Sequence, residues 1–386
     1  MRRMDAPHPR ISRVEPGSLG TDTDSLGSPV TTGRVGRRRS PILTAGRWTW
    51  TMLTLSVAGV VLFLVCLQFG AQDVGLGEIV RVLVQALWDG QVDRESVGTT
   101  GVILLQVRLP RVLLGLFVGS SLAAVGAALQ ALLRNPLADP YVLGVSSGAA
   151  LGVSLAMWLG IGGTVLTLSA LPVCGFAGSL LSLAVVYRLA VSYGRLPVHS
   201  LLLAGVVLNA ILTALIMFIT SIMDPNRSAG MMSWLMGTLT APAYPALAVL
   251  TAYLAVGITA LMKQAQVLNL MTLGDESARA LGVETERAKK LIYVIAALMT
   301  GAVVSVSGMI GFVGMVIPHA VRLVLGADHR LLLPASALVG GMYLMVADTV
   351  ARTLLAPAEV PVGIITALAG GPFFLYLLVW RKDRLA

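Results

Sequence analysis

Apolar stretches of about 20 residues recur along most of this chain, and that recurrence leaves few folds open. A helix rises about 1.5 Å per residue, so each run is long enough to cross a hydrocarbon layer about 30 Å thick. The runs fall at 48–69, 112–133, 142–161, 165–186, 201–223, 244–262, 291–311, 313–325, 331–355 and 362–380. The eighth is the shortest and contains Pro318, His319 and Arg322. It reads either as a full span or as a re-entrant helix, which is tolerated where protein surrounds it. With 56% of 386 residues hydrophobic and 12% charged, no water-soluble core could hide this much apolar surface. The expected fold is all-α, a polytopic membrane protein with about ten transmembrane helices.

The net charge of +9 suggests a nucleic-acid partner until its distribution is considered. Nine of the 28 basic residues precede Trp48, and most others sit in short loops on one side of the spans. Only Arg81, Arg94, Arg108, Arg111, Arg227 and Arg352 fall on the other side. By the positive-inside rule both termini are cytoplasmic, in the cytoplasmic membrane, and no nucleic acid is implied. Residues 1–46 are rich in Arg, Pro, Gly, Ser and Thr and read as a disordered basic cytoplasmic tail ahead of a membrane domain at 47–386. They do not form a secretory signal, because the first apolar run starts late and no small-residue cleavage site follows it. Cys66 and Cys174 lie inside apolar runs as small hydrophobes, and His8, His199, His319 and His329 show no metal-ligand spacing.

One polar stretch interrupts the apolar pattern on the cytoplasmic side: L-N-L-M-T-L-G-D-E-S-A-R-A-L-G-V from Leu268. Thr272 stands three residues before Asp275 at capping-box spacing, and Asp275 and Glu276 suit a helix N-terminus. Gly282 falls where a left-handed C-cap ends a helix. A helix of about two turns at 272–283 is thus expected, with Leu273, Ala278 and Leu281 as a small apolar ridge. Such a helix is too short to stand alone in water. It is either an ordinary loop helix or one gripped by a soluble partner.

Several function classes drop out. No G-x-x-x-x-G-K-[ST] motif, nucleophile elbow, metal cluster or intramembrane carboxylate pair occurs, so the chain reads as neither an ATPase nor another enzyme. An ion-coupled carrier needs ionisable groups at mid-membrane. The spans offer only His319 and Arg322, and Asp348 with Arg352 one turn later, a spacing suited to a structural ion pair. A transporter with so few internal charges must draw its energy from a partner. On the outer side, Arg108, Arg111 and Arg352 read either as exposed cations for the carboxylates of a docking protein or as anchors of helix ends. Met231, Met232 and Met236 read as packing rather than as metal ligands. Small residues at Gly115 and Gly119, Gly148 and Gly152, and Gly301 to Gly314 suit close helix packing. A faint echo of Ala138-Asp139 and Ser147 in Ala327-Asp328 and Ser336 allows an inverted repeat.

Taken together, V-R-L-P-R at 107–111, L-R-N-P-L-A-D-P-Y-V-L-G-V-S-S-G-A at 133–149, L-G-D-E-S-A-R-A-L-G-V at 273–283, S-G-M-I-G-F-V-G-M-V-I-P-H-A-V-R at 307–322 and E-V-P-V-G-I-I-T-A-L-A-G-G-P-F-F at 359–374 have a clear likeness. The chain from about Trp48 onward resembles the FecCD-type permeases, membrane subunits of ABC importers for iron–siderophore complexes, haem and cobalamin. The resemblance implies a type II importer permease fold paired with a second copy or a close paralogue. It implies two cytoplasmic ATPase subunits that hold ATP and magnesium, an extracellular substrate-binding protein, and no cofactor or metal in this chain. It makes Leu273, Gly274, Asp275, Glu276, Ser277, Ala278, Arg279, Leu281 and Gly282 the coupling helix, with the loop around Asn135 beside it. It gives Arg108, Arg111 and Arg352 a docking role, and places the cargo pathway around Asn209, Gly363, Gly370 and Gly371. Ferric siderophore is the first cargo it suggests, then haem, then cobalamin. The different class kept beside it is an ion-coupled secondary transporter.

Overall fold

The computed structural model describes residues 43–70, 73–89, 94–161, 163–165 and 168–381, so the expected tail lies outside the described residues up to residue 42. Among the described residues there are fifteen α-helices. They are α1 Ala45–Gln68, α2 Leu76–Asp89, α3 Arg94–Ile103, α4 Leu109–Leu132, α5 Val145–Trp158, α6 Ala170–Ala190, α7 Val198–Ile222 and α8 Pro225–Leu235. The remainder are α9 Tyr244–Lys263, α10 Ala265–Met271, α11 Asp275–Ala280, α12 Thr285–Ser307, α13 Val313–Leu325, α14 His329–Thr353 and α15 Val362–Arg381. A π-helical turn, Leu104–Arg108, joins α3 to α4, and a 3₁₀ turn, Pro140–Leu143, precedes α5. Among the described residues the one pairing of named strands is a two-residue ribbon, Thr164–Val165 against Leu168–Ser169.

The ten expected spans correspond to α1, α4, α5, α6, α7, α9, α12, α13, α14 and α15. Among the described residues seven helices are long and apolar enough to cross a membrane. The third span is corrected: α5 has 14 residues rather than the 20 expected at 142–161, because Pro140 and left-handed Gly144 (φ 79°) delay its start. Likewise α12 ends at Ser307, short of residue 311, because Gly308 turns the chain at φ 67°. The eighth span is a helix of 13 residues, about two-thirds of a crossing.

The bundle is built around α4, whose neighbours touch its backbone. A Cβ added at Gly119 would lie 2.2 Å from the Gly340 carbonyl oxygen on α14, and one at Gly126 would lie 1.7 Å from the Gly314 carbonyl oxygen on α13. Gly148 meets Gly178 in the same way, and Gly152 meets the Cys174 carbonyl, which brings α5 against α6. The small-residue spacing thus does what it does in lipid, letting helices approach without a side-chain layer. Gly311 is the departure, with open space around it. The outside of the bundle is apolar: α1 exposes Trp50, Leu53, Val57, Val60 and Val61, as a lipid-facing helix does. The echo between halves has a structural counterpart. Asp139 accepts from the Tyr141 N–H (2.8 Å) and Asp328 from the Arg330 N–H (3.0 Å), each capping a helical turn two residues on.

Candidate functional site

At one end of the bundle α10, α11 and the start of α12 form a folded platform. Its N-cap is Gly274 (φ 110°), a conformation suited to glycine, and not the expected Thr272. Thr272 instead closes α10, its hydroxyl donating to the Asn269 carbonyl at 2.7 Å. The far end is as expected. Val283 N–H donates to the Ala278 carbonyl (3.0 Å) and Gly282 N–H to that of Arg279 (2.9 Å), with Gly282 at φ 86°, a Schellman motif. The expected apolar ridge is split: Ala278 is fully buried, whereas Leu273 (63%) and Leu281 (59%) stay exposed.

Charge pairs mount α11 on the bundle. Asp275 bonds Arg134 (3.1 Å), just past the end of α4, and Lys289 on α12. Lys289 also pairs with Glu286 (3.2 Å), and Arg279 donates to Thr285 Oγ1 (2.8 Å). Partial burial works to raise the Asp275 carboxyl, but the nearby Lys289, Arg134 and Arg279 charges outweigh it and hold it below the ordinary carboxylate value. Asp275 is therefore a mounting residue, and Glu276, Ser277 and Arg279 are the polar groups facing outward. Beside them lies an open hollow of about 520 Å³, lined in part by Arg279, Glu284, Arg287 and Lys290. A second capped turn braces the platform: Asn269 donates to Asp328 (2.8 Å) and accepts from the His329 N–H (2.8 Å). The Arg330 and Asn269 bonds hold the Asp328 carboxyl down at about 2 against some desolvation.

The opposite end corrects the expectation of exposed cations. Arg108 is 4% exposed, Arg352 7%, and the Arg111 side chain 11%. Arg108 donates to the Leu67 and Gln68 carbonyls (3.1 Å each), and Arg352 to the Cys66 carbonyl (2.7 Å). These carbonyls end α1, beyond the reach of its own N–H groups, where a cation also suits the helix dipole. Arg111 grips Asp348 through two nitrogens at 3.0–3.1 Å and reaches Glu359 at 2.8 Å. Asp348 is thus the close partner of Arg111, while Arg352, one turn along, stands at 3.7 Å. The three arginines clamp α1, α4, α14 and the segment before α15 together.

The pathway candidates divide. Asn209 on α7 accepts from the Ser147 hydroxyl (2.6 Å) and donates to the Tyr141 carbonyl (3.0 Å). Gly363 is a packing glycine, where a Cβ would lie 2.1 Å from the Met236 carbonyl oxygen, and Gly370 packs against Phe312. Only Gly371 of the three faces open space. Sequence reasoning missed Arg134, Lys289 and Tyr141 as parts of these sites. Their partners are 141, 14 and 169 residues away along the chain, and only Lys289 with Glu286 showed a helical spacing that could have marked it. Among the described residues no group of three or more metal-ligating side chains gathers.

A platform at one end, a clamp at the other and broken helices between them make up a polytopic helical bundle. A solved structure described as an inward-facing conformation of a metal-chelate type ABC transporter matches with a TM-score of 0.71 at 30% identity, over 86% of this chain and 99% of that one. The model of the FecCD transport family matches residues 58–380, and the chain belongs to that family. It is 46% identical over 286 residues to the cobalamin import system permease protein of Halobacterium salinarum, covering 74% of this chain and 76% of that protein. It is 44% identical over 283 residues to the hemin transport system permease protein of Yersinia pestis, covering 73% and 84%.

Proposed function

We propose that this chain is the membrane gate of a binding-protein-dependent importer of bulky metal chelates, worked by separate ATPase subunits that grip α11. The observation that carries this is the mounting of α11. A six-residue helix is fixed by charge pairs to α4 and α12, yet it turns Leu273, Leu281 and Glu276 away from the bundle. Large apolar side chains beside charges on a rigid mount suit insertion into a partner's cleft. With α11 cytoplasmic, both termini are cytoplasmic and the arginine clamp is on the outer side, in the cytoplasmic membrane. The exposed apolar faces of α7 (Leu203, Val207, Ile211) and α15 (Leu368, Leu375), with open Gly371, suit a second permease subunit across a central pathway.

The external binding protein meets the outer end, and the clamp's role there is to fix the helices that it rests on. Among the three cargoes, relatives named for cobalamin and for hemin put those two level with ferric siderophore. Uptake of labelled ferric siderophore, haem and cobalamin by cells lacking and then regaining the chain decides between them. Co-purification of the ATPase with the wild type but not with a Leu273→Asp, Leu281→Asp variant supports the assignment of α11. The proposal fails if that variant keeps its ATPase, or if the isolated chain in vesicles drives uptake on a proton or sodium gradient.

A further inference from the structure

Two interruptions of the bundle meet at one tyrosine. The first runs from the end of α4 to Gly144, and the second from Gly308 to Phe312, which takes a left-handed φ of 69°. Tyr141, in the 3₁₀ turn of the first, accepts at its hydroxyl the N–H of Ile310 in the second. Its own carbonyl accepts from Asn209 Nδ2 at 3.0 Å. Asn209 lies about 16 Å along a helix about 37 Å long, so the junction is near mid-depth. The surroundings leave the turn little room. A Cβ on Gly205 of α7 would lie 2.3 Å from the Val142 carbonyl oxygen, and one on Gly314 of α13 would lie 2.7 Å from the Pro140 ring.

A continuous line of bonded elements follows. Lys289 and Thr285 tie α11 to the start of α12, and α12 runs unbroken for 23 residues to the second interruption. There the Ile310 N–H holds Tyr141, and Tyr141 holds Asn209 on α7. We propose that Tyr141 is a positioning residue for transport: it passes displacement of α11 and α12 to α7, the helix beside the cargo pathway. This rests on the functional reading above.

The test is amide exchange on the complete complex in lipid, before and after ATP and vanadate trap the ATPase, read at 285–296 of α12 and at 203–213 of α7. In the wild type both segments change on trapping. Tyr141→Phe keeps the ring and deletes the oxygen. The α12 response then persists, while that of α7 shrinks about fivefold, the loss of one net hydrogen bond's worth of coupling. Asn209→Ala cuts the second arm and gives the same pattern should Tyr141→Phe fail to assemble. Ser182→Ala is the control, since its hydroxyl bonds the Gly144 carbonyl at 2.6 Å in the same packing without joining the two interruptions. An undiminished α7 response in Tyr141→Phe overturns the proposal, and so does an equal loss in Ser182→Ala. A wild type in which neither segment responds overturns the functional reading and this inference with it.

Discussion

The two ends of the bundle are made from the same parts and put them to opposite uses. Each gathers three cations and two carboxylates from distant segments: Arg134, Arg279 and Lys289 with Asp275 and Glu286, and Arg108, Arg111 and Arg352 with Asp348 and Glu359. At the α11 end the carboxylates remain 26–28% exposed and two of the cations about half exposed. At the clamp Asp348 is 1% exposed, with Glu359 at the rim open at 58%, and two arginines end on backbone carbonyls. A buried set tolerates no missing member, because removing one leaves an uncompensated charge. An exposed set can rearrange and carry outward groups that touch a partner. On the function proposed above, the clamp sets stability and the platform carries the contact with a partner.

The sharpest way to break this contrast is to reverse the clamp. Arg108→Glu, Arg111→Glu and Arg352→Glu together put five carboxylates where three cations balanced two, and no folded protein is expected on size exclusion in detergent. A triple variant that assembles and loses only uptake would make the clamp a docking surface. Asp348→Ala comes next, with a loss of about 3–5 kcal/mol in denaturant titration, since the buried Arg111 and Arg352 keep only the half-exposed Glu359 as counter-charge. Gly282→Ala at φ 86° is expected to cost about 1 kcal/mol and to speed α11 amide exchange several-fold. Acid should act more gently. Because the Asp275 value is depressed on folding, its contribution is complete above the ordinary carboxylate value and is lost as pH falls through the folded value. Exchange in α11 should accelerate below about pH 4, and Lys289→Met should flatten that dependence. The smallest effect on stability, within about 0.5 kcal/mol, belongs to Glu276→Lys, which should still lower cargo moved per ATP. Unaltered coupling in that variant would remove Glu276 from the partner surface.

The spans were legible because a helix in lipid must be apolar over its whole length. The shorter helices α2, α8 and α10 were not, since at 14, 11 and 7 residues none fills a 20-residue window. The break after Ser307 was hidden because S-G-M-I-G is nearly as apolar as a span, and only the φ of Gly308 marks it. At the platform the glycine C-cap could be read from local spacing, whereas the N-cap could not, because Thr272 serves the preceding helix. At the clamp two readings stood open, exposed cations or anchors of helix ends, and the structure sets the arginines on helix-end carbonyls and a buried carboxylate. Arginine beside a span has two outlets, water or the carbonyls of a neighbouring helix end, and sequence position does not choose between them.

The glycine contacts of α4 carry a consequence for motion. Helices that meet through side chains alone can slide over one another by exchanging rotamers, but at Gly119 and Gly126 α4 meets α14 and α13 main chain to main chain. Those three helices make a spindle with no bearing surface of their own. On the function proposed above, opening and closing then fall to the outlying helices, which can swing without breaking those contacts.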